Sequence, residues 1–301
     1  MKNKRNYRNL LINVVGPTAS GKSALALSLA KKFNGVIICA DSRQVYKYMN
    51  IGTNKPSRAE RKVVPHYGLD LVTPNQVFTL SDFMKYADRV LTEVWQQGKL
   101  PFIVGGTGLY VTALAEGYSL STAGPDASLR QKLVTKTTTQ LASLLQKLSP
   151  AAAQSLDLKN RHRVIRALEQ TKHHSSSQTA AKKPRYHTLQ LGASIDRAKL
   201  YKRINQRVDL MVKQGLIAEV KRLAKRYRWS RPAMSGIGYR QIGQWLSGDI
   251  SRDEAIELIK RDTRHYAKRQ LTWYRKRTNI HWIKNRSAAA ALCRRFVAQN
   301  K

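Results

Sequence analysis

The chain has 301 residues, 42% of them hydrophobic, enough for one large domain or two small ones with a sizeable core. Its 55 Lys and Arg stand against 18 Asp and Glu, a formal charge of +37 that a small phosphorylated metabolite does not require and a polyanion such as nucleic acid does. Its two cysteines, Cys39 and Cys293, form no Cys-x-x-Cys or Cys/His cluster, which excludes a zinc finger and argues against a disulfide framework. No apolar run approaches the roughly 20 residues needed to span a bilayer, and the basic Met1–Asn9 stretch lacks a signal-peptide core. A cytoplasmic location is expected.

In chain order, alternation of apolar runs and amphipathic stretches predicts a strand over Leu10–Val15, a helix over Lys22–Phe33 and a strand over Val36–Ala40. A helix follows over Ser81–Gln97, then a short strand over Pro101–Val104 and a helix over Leu109–Ala115. Such alternation implies a parallel sheet flanked by helices, with ligands at the carboxyl ends of the strands. Strand signals then vanish. Asp126–Leu148 and Asn160–Lys172 read as helices, and the polar stretch from Lys172 to Pro184 reads as a loop. A strand over Thr188–Ile195 returns the chain to the sheet. Asp196–Tyr227 reads as one long amphipathic helix broken or bent at Gly215, and a last large helix is expected from Arg252 to Arg277. The expected division is a catalytic core of residues 1–118 and 188–301, with a helical insertion over 119–187.

Three strand ends carry chemistry. Gly16-Pro17-Thr18-Ala19-Ser20-Gly21-Lys22-Ser23 is a complete Gly-x4-Gly-Lys-Ser phosphate loop in its required strand–loop–helix setting. Its N–H groups, the helix N-terminus and Lys22 suit a di- or triphosphate, and the Ser23 hydroxyl suits Mg²⁺. At the second strand end stands Asp41, a general base or metal ligand beside the phosphates, followed by Ser42 and Gln44, which suit a base edge. The third is the turn Gly105-Gly106-Thr107-Gly108, where small residues admit a ligand close to the backbone and Thr107 adds a hydroxyl. From Lys260 to Arg286, basic residues are interleaved with Tyr266, Trp273 and Tyr274, a composition that pairs phosphates and stacks unpaired bases.

These motifs, with Asn-Ile-Gly-Thr-Asn-Lys-Pro (50–56), Arg-Val-Ile-Arg-Ala-Leu-Glu (163–169), Arg-Ile-Asn-Gln-Arg-Val-Asp (203–209), Gly-Ile-Gly-Tyr-Arg (236–240) and Tyr-Ala-Lys-Arg-Gln-Leu-Thr-Trp (266–273), strongly resemble the bacterial tRNA dimethylallyltransferase (IPP transferase) family over nearly the whole chain. The resemblance implies a P-loop NTPase-like α/β fold with a helical insertion domain that contacts tRNA. It implies transfer of a dimethylallyl group from dimethylallyl diphosphate to N6 of adenosine 37, in the anticodon stem-loop of tRNA. Carried over by position, Asp41 and Thr107 are catalytic. Gly16, Pro17, Thr18, Ala19, Ser20, Gly21, Lys22, Ser23 and Arg240 hold the diphosphate, with Ser23 placing Mg²⁺. The tRNA-binding set is Asp41, Ser42, Arg43, Gln44, Thr107, Arg130, His162, Arg163, Val164, Ile165 and Arg166, and Ser235 to Arg240 also match a tRNA-contacting stretch. A monomer is expected. The alternatives are isopentenylation of free AMP, ADP or ATP, against which the insertion and the charge weigh; a P-loop metabolite kinase, against which the lack of a lid-arginine pattern or Walker B signature weighs; and a nucleic-acid-binding protein with a vestigial nucleotide site, against which the intact Lys22, Ser23 and Asp41 weigh.

Overall fold

A computed structural model describes residues 7–118, 124–173, 184–229 and 231–300. The chain divides into two compact units, Met1–Glu116 with Pro184–Lys301, and Gly117–Lys183. Most of the polar stretch expected as a loop, residues 174–183, lies outside the described residues.

The first unit is built on six strands: β1 (Leu10–Val15), β2 (Gly35–Cys39), β3 (His66–Tyr67), β4 (Leu100–Val104), β5 (His187–Ala193) and β6 (Ile280–Ile283). They pair in the order β3-β2-β4-β1-β5-β6, and every pairing is parallel. Every residue of β1, β2 and β4 is buried, so these strands are covered on both faces and read as continuous apolar runs. One face packs against α1 (Lys22–Lys32) and α13 (Arg286–Gln299), where Leu25, Leu29, Ala289 and Cys293 meet Ile12, Val14, Phe102 and Leu191. The remaining helices of this unit are α2 (Arg58–Val63), α3 (Leu80–Gln96), α4 (Gly108–Glu116), α9 (Arg197–Lys213), α10 (Leu216–Arg226), α11 (Tyr239–Leu246) and α12 (Arg252–Arg275).

The strand order positions the site. The chain leaves β1 through the phosphate loop and α1, passes over β4 and returns as β2, so the ends of β1, β4 and β2 lie side by side. The phosphate loop, the Gly105–Gly108 turn and Asp41 therefore share the carboxyl edge of the sheet, where open α/β sheets bind ligands.

The second unit holds α5 (Ala127–Leu133), α6 (Thr138–Leu148), α7 (Pro150–Gln154) and α8 (Arg161–Lys172), packed around Leu133, Leu141, Leu145, Val164 and Leu168. The expected single helix over Asp126–Leu148 is two. Thr137 accepts from the Gln140 N–H and Gln140 answers to the Thr137 N–H, a capping box that starts α6 afresh. The helix over Asp196–Tyr227 breaks at Gly215 as expected, giving α9 and α10; the φ of Gly215, 97°, is one an L side chain rarely adopts. β3 and β6 were not expected, because strands of two and four residues are too short for an alternating pattern.

Candidate active site

The phosphate loop is shaped by left-handed backbone at Ala19 (φ 64°) and Gly21 (φ 94°), the latter at the N-cap of α1. No acidic residue occupies the first turn of α1, so its N-terminal partial charge is unopposed within the helix. Lys22 Nζ donates to Pro17 O at 3.3 Å. Desolvation is the largest influence on this ammonium; Asp41 opposes it, Arg207 reinforces it, and the pKa falls to about 8.

Asp41 follows the end of β2. Its Oδ1 accepts from the N–H of Arg43 at 2.8 Å and of Gln44 at 3.4 Å, which tightens the turn. Among the described residues none bonds Oδ2. Thr107 Oγ1 accepts from the Ser42 N–H at 3.0 Å and lies 3.3 Å from Ser42 Oγ, so the β4 turn is tied to the β2 turn. Tyr266, on α12, stands at the same turn; its burial, reinforced by Asp41, raises its pKa and keeps it a phenol.

Two clefts meet at this junction. The first, about 840 Å³ including its open mouth, runs along Lys22, Ser23, Cys39 and Lys55. The second, about 1190 Å³ on the same measure, runs along Ser42, Arg43, Ser235, Tyr239 and Arg269 and has an apolar wall of Val208, Met211 and Ile259. Both are lined by Thr18, Asp41, Arg207 and Tyr266. A carboxylate thus sits where a phosphate-binding cleft opens into a wider, half-apolar one.

Several expected residues are placed elsewhere or, like Gln44 in the wall of the first cleft, have their polar groups already engaged. Arg240 lines neither cleft; its Nη2 donates to Asp262 Oδ2 at 2.7 Å. The arginine on the phosphate side is Arg207, on α9, whose Nη1 donates to Thr18 Oγ1 at 3.3 Å and whose pKa is lowered by burial and by Arg203. The amide of Gln44, expected at a base edge, is engaged within the protein. Its Nε2 donates to Thr53 O and Asn54 O, each at 3.0 Å, while Oε1 accepts from Cys39 Sγ at 3.0 Å.

In the second unit the side chain of Val164 is fully buried and Ile165 packs against the same core, so neither presents a polar group to a ligand. Arg130 and Arg166 both donate to Glu169, while His162 and Arg163 are exposed on the first turn of α8.

Two further residues build the site and were given no role by their motifs. Gln270, buried on α12, accepts from the Thr18 N–H and donates to Gly106 O, both at 2.8 Å, and so clamps the phosphate loop to the β4 turn. Buried Glu219 accepts from the N–H groups of Asn50 and Ile51 at 2.9 Å and of Gly52 at 3.1 Å, and from Tyr239 OH at 2.7 Å. It thereby fixes the loop whose Thr53 and Asn54 line both clefts. The detectable signal was a carboxylate on the apolar face of α10, between Leu216, Val220 and Leu223.

Mg²⁺ fits this donor set in one way. Ser23 and Asp41 line the same cleft, but no group of three or more His, Cys, Asp or Glu among the described residues could cage a metal. The Ser23 hydroxyl suits Mg²⁺ that arrives with phosphate oxygens and waters of its own.

The IPP transferase family model matches residues 44–277, and an isopentenyl transferase model matches residues 10–67. A tRNA dimethylallyltransferase of Carboxydothermus hydrogenoformans is 46% identical over 283 residues, 91% of each chain. That of Acetivibrio thermocellus is 45% identical over 286 residues, again 91% of each. Among solved structures, the full-length tRNA isopentenylpyrophosphate transferase of Bacillus halodurans has a TM-score of 0.75 at 36% identity, over 97% of this chain and 98% of that one. A eukaryotic dimethylallyltransferase acting on tRNA has a TM-score of 0.79 at 27% identity, over 91% of this chain and 73% of that one. With its phosphate loop, its strand-end carboxylate and relatives of this similarity along nearly its whole length, the chain belongs to the IPP transferase family of tRNA dimethylallyltransferases.

Proposed function

We propose that this protein transfers a dimethylallyl group from dimethylallyl diphosphate to N6 of adenosine 37 in tRNA, releasing diphosphate. The observation that carries the reading is the meeting of two clefts at Thr18, Asp41, Arg207 and Tyr266, one lined by the phosphate loop and the other wide enough for an extruded purine. The +37 charge supports a polyanionic acceptor.

The donor's diphosphate lies on the phosphate loop, bound by Lys22, Arg207 and loop N–H groups, with Ser23 the residue that would hold Mg²⁺. When bound, that ion neutralises charge on the leaving diphosphate. As the allylic C–O bond breaks, Lys22 and Arg207 stabilise the growing negative charge where water is scarce. The adenine amine is a poor nucleophile because its lone pair is delocalised into the ring. Asp41 Oδ2 accepts one N6 proton as the new C–N bond forms, while Oδ1 stays bonded to the turn, so the base does not swing away. Thr107, fixed by Ser42, and Tyr266 hold the junction closed against water, which would otherwise hydrolyse the donor.

We take a monomer as the active unit, because the first unit by itself supplies the phosphate loop, Asp41, Arg207 and Tyr266. Among the described residues no helix is long and apolar enough to cross a membrane. We place the reaction in the cytoplasm, with its tRNA substrate.

A free adenine nucleotide as acceptor is the second reading, favoured by the isopentenyl transferase match over residues 10–67. That stretch carries the donor loop and Asp41, which either acceptor requires. Incubation with labelled dimethylallyl diphosphate and either tRNA or AMP, followed by nucleoside analysis, separates the two. Label on tRNA adenosine is expected; label on AMP alone overturns the proposal.

A further inference from the structure

We propose that Arg226, Arg228 and Arg231 form an RNA-backbone docking patch beside the acceptor cleft, which binds phosphates of the same RNA that presents the reacting adenosine. This rests on the reading of the acceptor as a tRNA. The patch is an open groove of about 740 Å³ formed by these three arginines with Thr73, Asn75 and Tyr227.

The centre of the groove is Arg226. Its guanidinium carbon lies 5.6 Å from the ring centroids of both Tyr48 and Tyr227, so two aromatic faces orient it. Tyr48 adopts a φ of 68°, rare for an aromatic residue, and is 44% exposed. A strained backbone that puts an aromatic ring at the surface beside an arginine is a built feature, consistent with use. Among the described residues, Arg226, Arg228 and Arg231 have no carboxylate partner, unlike Arg61, Arg89, Arg185, Arg240 and Arg261, which all pair with acids. Their forks remain available for phosphate oxygens. Trp229, between two of them in sequence, is 41% exposed with its six-membered ring against Gly243, and offers apolar surface on the same segment for an unpaired base.

Location selects the partner. Two residues after Tyr48 begins the Glu219-held loop that walls both clefts, and Arg231 precedes Pro232, whose carbonyl accepts from Arg43 of the acceptor cleft. The same segment continues through Ser235 to Tyr239 along that cleft. An RNA with its adenosine at Asp41 carries its backbone out past these arginines. A free nucleotide does not reach them.

The test measures binding of fluorescent tRNA to the full chain by anisotropy, from low to moderate salt, for wild type, R226S/R228S/R231S and the charge-keeping R226K. Three lost phosphate contacts at about 0.7–0.9 each make the log–log salt slope shallower by about 2–3 in the triple variant. KM for tRNA rises at least about tenfold, while kcat at saturating tRNA and KM for dimethylallyl diphosphate stay at wild-type values. R226K keeps the slope but loses affinity, because a point charge replaces an oriented fork. A triple variant whose circular dichroism matches wild type, with salt slope and tRNA affinity unchanged, overturns the patch and leaves the reaction standing. Wild type that modifies AMP and binds tRNA without salt dependence overturns both.

Discussion

In the cleft, Arg207 is partly buried beside Thr18 and, among the described residues, no carboxylate bonds it. In the second unit the reverse holds. Buried Glu169 receives Arg130 Nε at 2.6 Å, Arg166 Nη1 at 3.1 Å and the Asp126 N–H at 3.0 Å. Both regions set arginine against a sheltered group, yet the first leaves a cation for a ligand to neutralise and the second neutralises its arginines on buried Glu169. Charge counted along a sequence does not separate a binding arginine from a structural one; the position of the counter-charge does. Asp41 and Glu169 differ in the same sense. Asp41 keeps one oxygen for chemistry, whereas both Glu169 oxygens are bonded.

The comparison breaks most sharply at Asp41. Asp41→Asn keeps an oxygen for the Arg43 N–H and removes the base, so kcat should fall at least about 10²-fold with tRNA affinity kept. Near-normal turnover in single-turnover assays would remove Asp41 as the base. Next, Arg207→Ala should raise KM for dimethylallyl diphosphate about 10- to 100-fold, the worth of a charged hydrogen bond. An unchanged donor KM would move the diphosphate elsewhere.

Glu169→Ala should instead leave donor KM alone and cost about 1–3 kcal/mol of stability, because it orphans the Asp126 N–H and frees two arginines. Thermal melts of the purified protein read this, and a changed donor KM would deny the contrast. The sign with pH follows. Burial opposes ionisation of Glu169, but Arg130, Arg166 and the Asp126 N–H outweigh it and hold its carboxyl below the ordinary glutamate range. Its stabilisation is present above that range and is lost as the pH falls through the lowered value.

The smallest effect is a pH limb. Because the ammonium of Lys22 loses its proton near pH 8, kcat/KM for the donor should drop to about half near that pH and fall further above it. In Lys22→Arg the limb should vanish. A profile flat to pH 10 in wild type would disconnect Lys22 from the donor.

Much of the site was legible because it lies at strand ends in short contiguous motifs. The phosphate loop, Asp41 and Thr107 each follow a short, β-prone apolar run bounded by turn residues, which reads as a buried parallel strand, and the carboxyl edge of such a sheet is where ligands sit. Arg207, Gln270 and Glu219 are different. They come from helices far along the chain, and helical periodicity says which side of a helix is buried but not what it meets. Gln44 and Arg240 illustrate the limit from the other direction. Their motifs lie near the site, yet one amide closes on Thr53 and Asn54 and the other guanidinium closes on Asp262.

The order of residues alone settled the parallel sheet, the phosphate cradle and the strand-end acid, since backbone geometry and hydrophobic period are local properties. Only the folded chain decided which cations face the donor and which are neutralised by a buried neighbour. Pairing depends on distances of a few ångströms between separate segments, 39 residues apart for Arg130 and Glu169 and 189 for Arg207 and Thr18, and no spacing along the sequence encodes those distances.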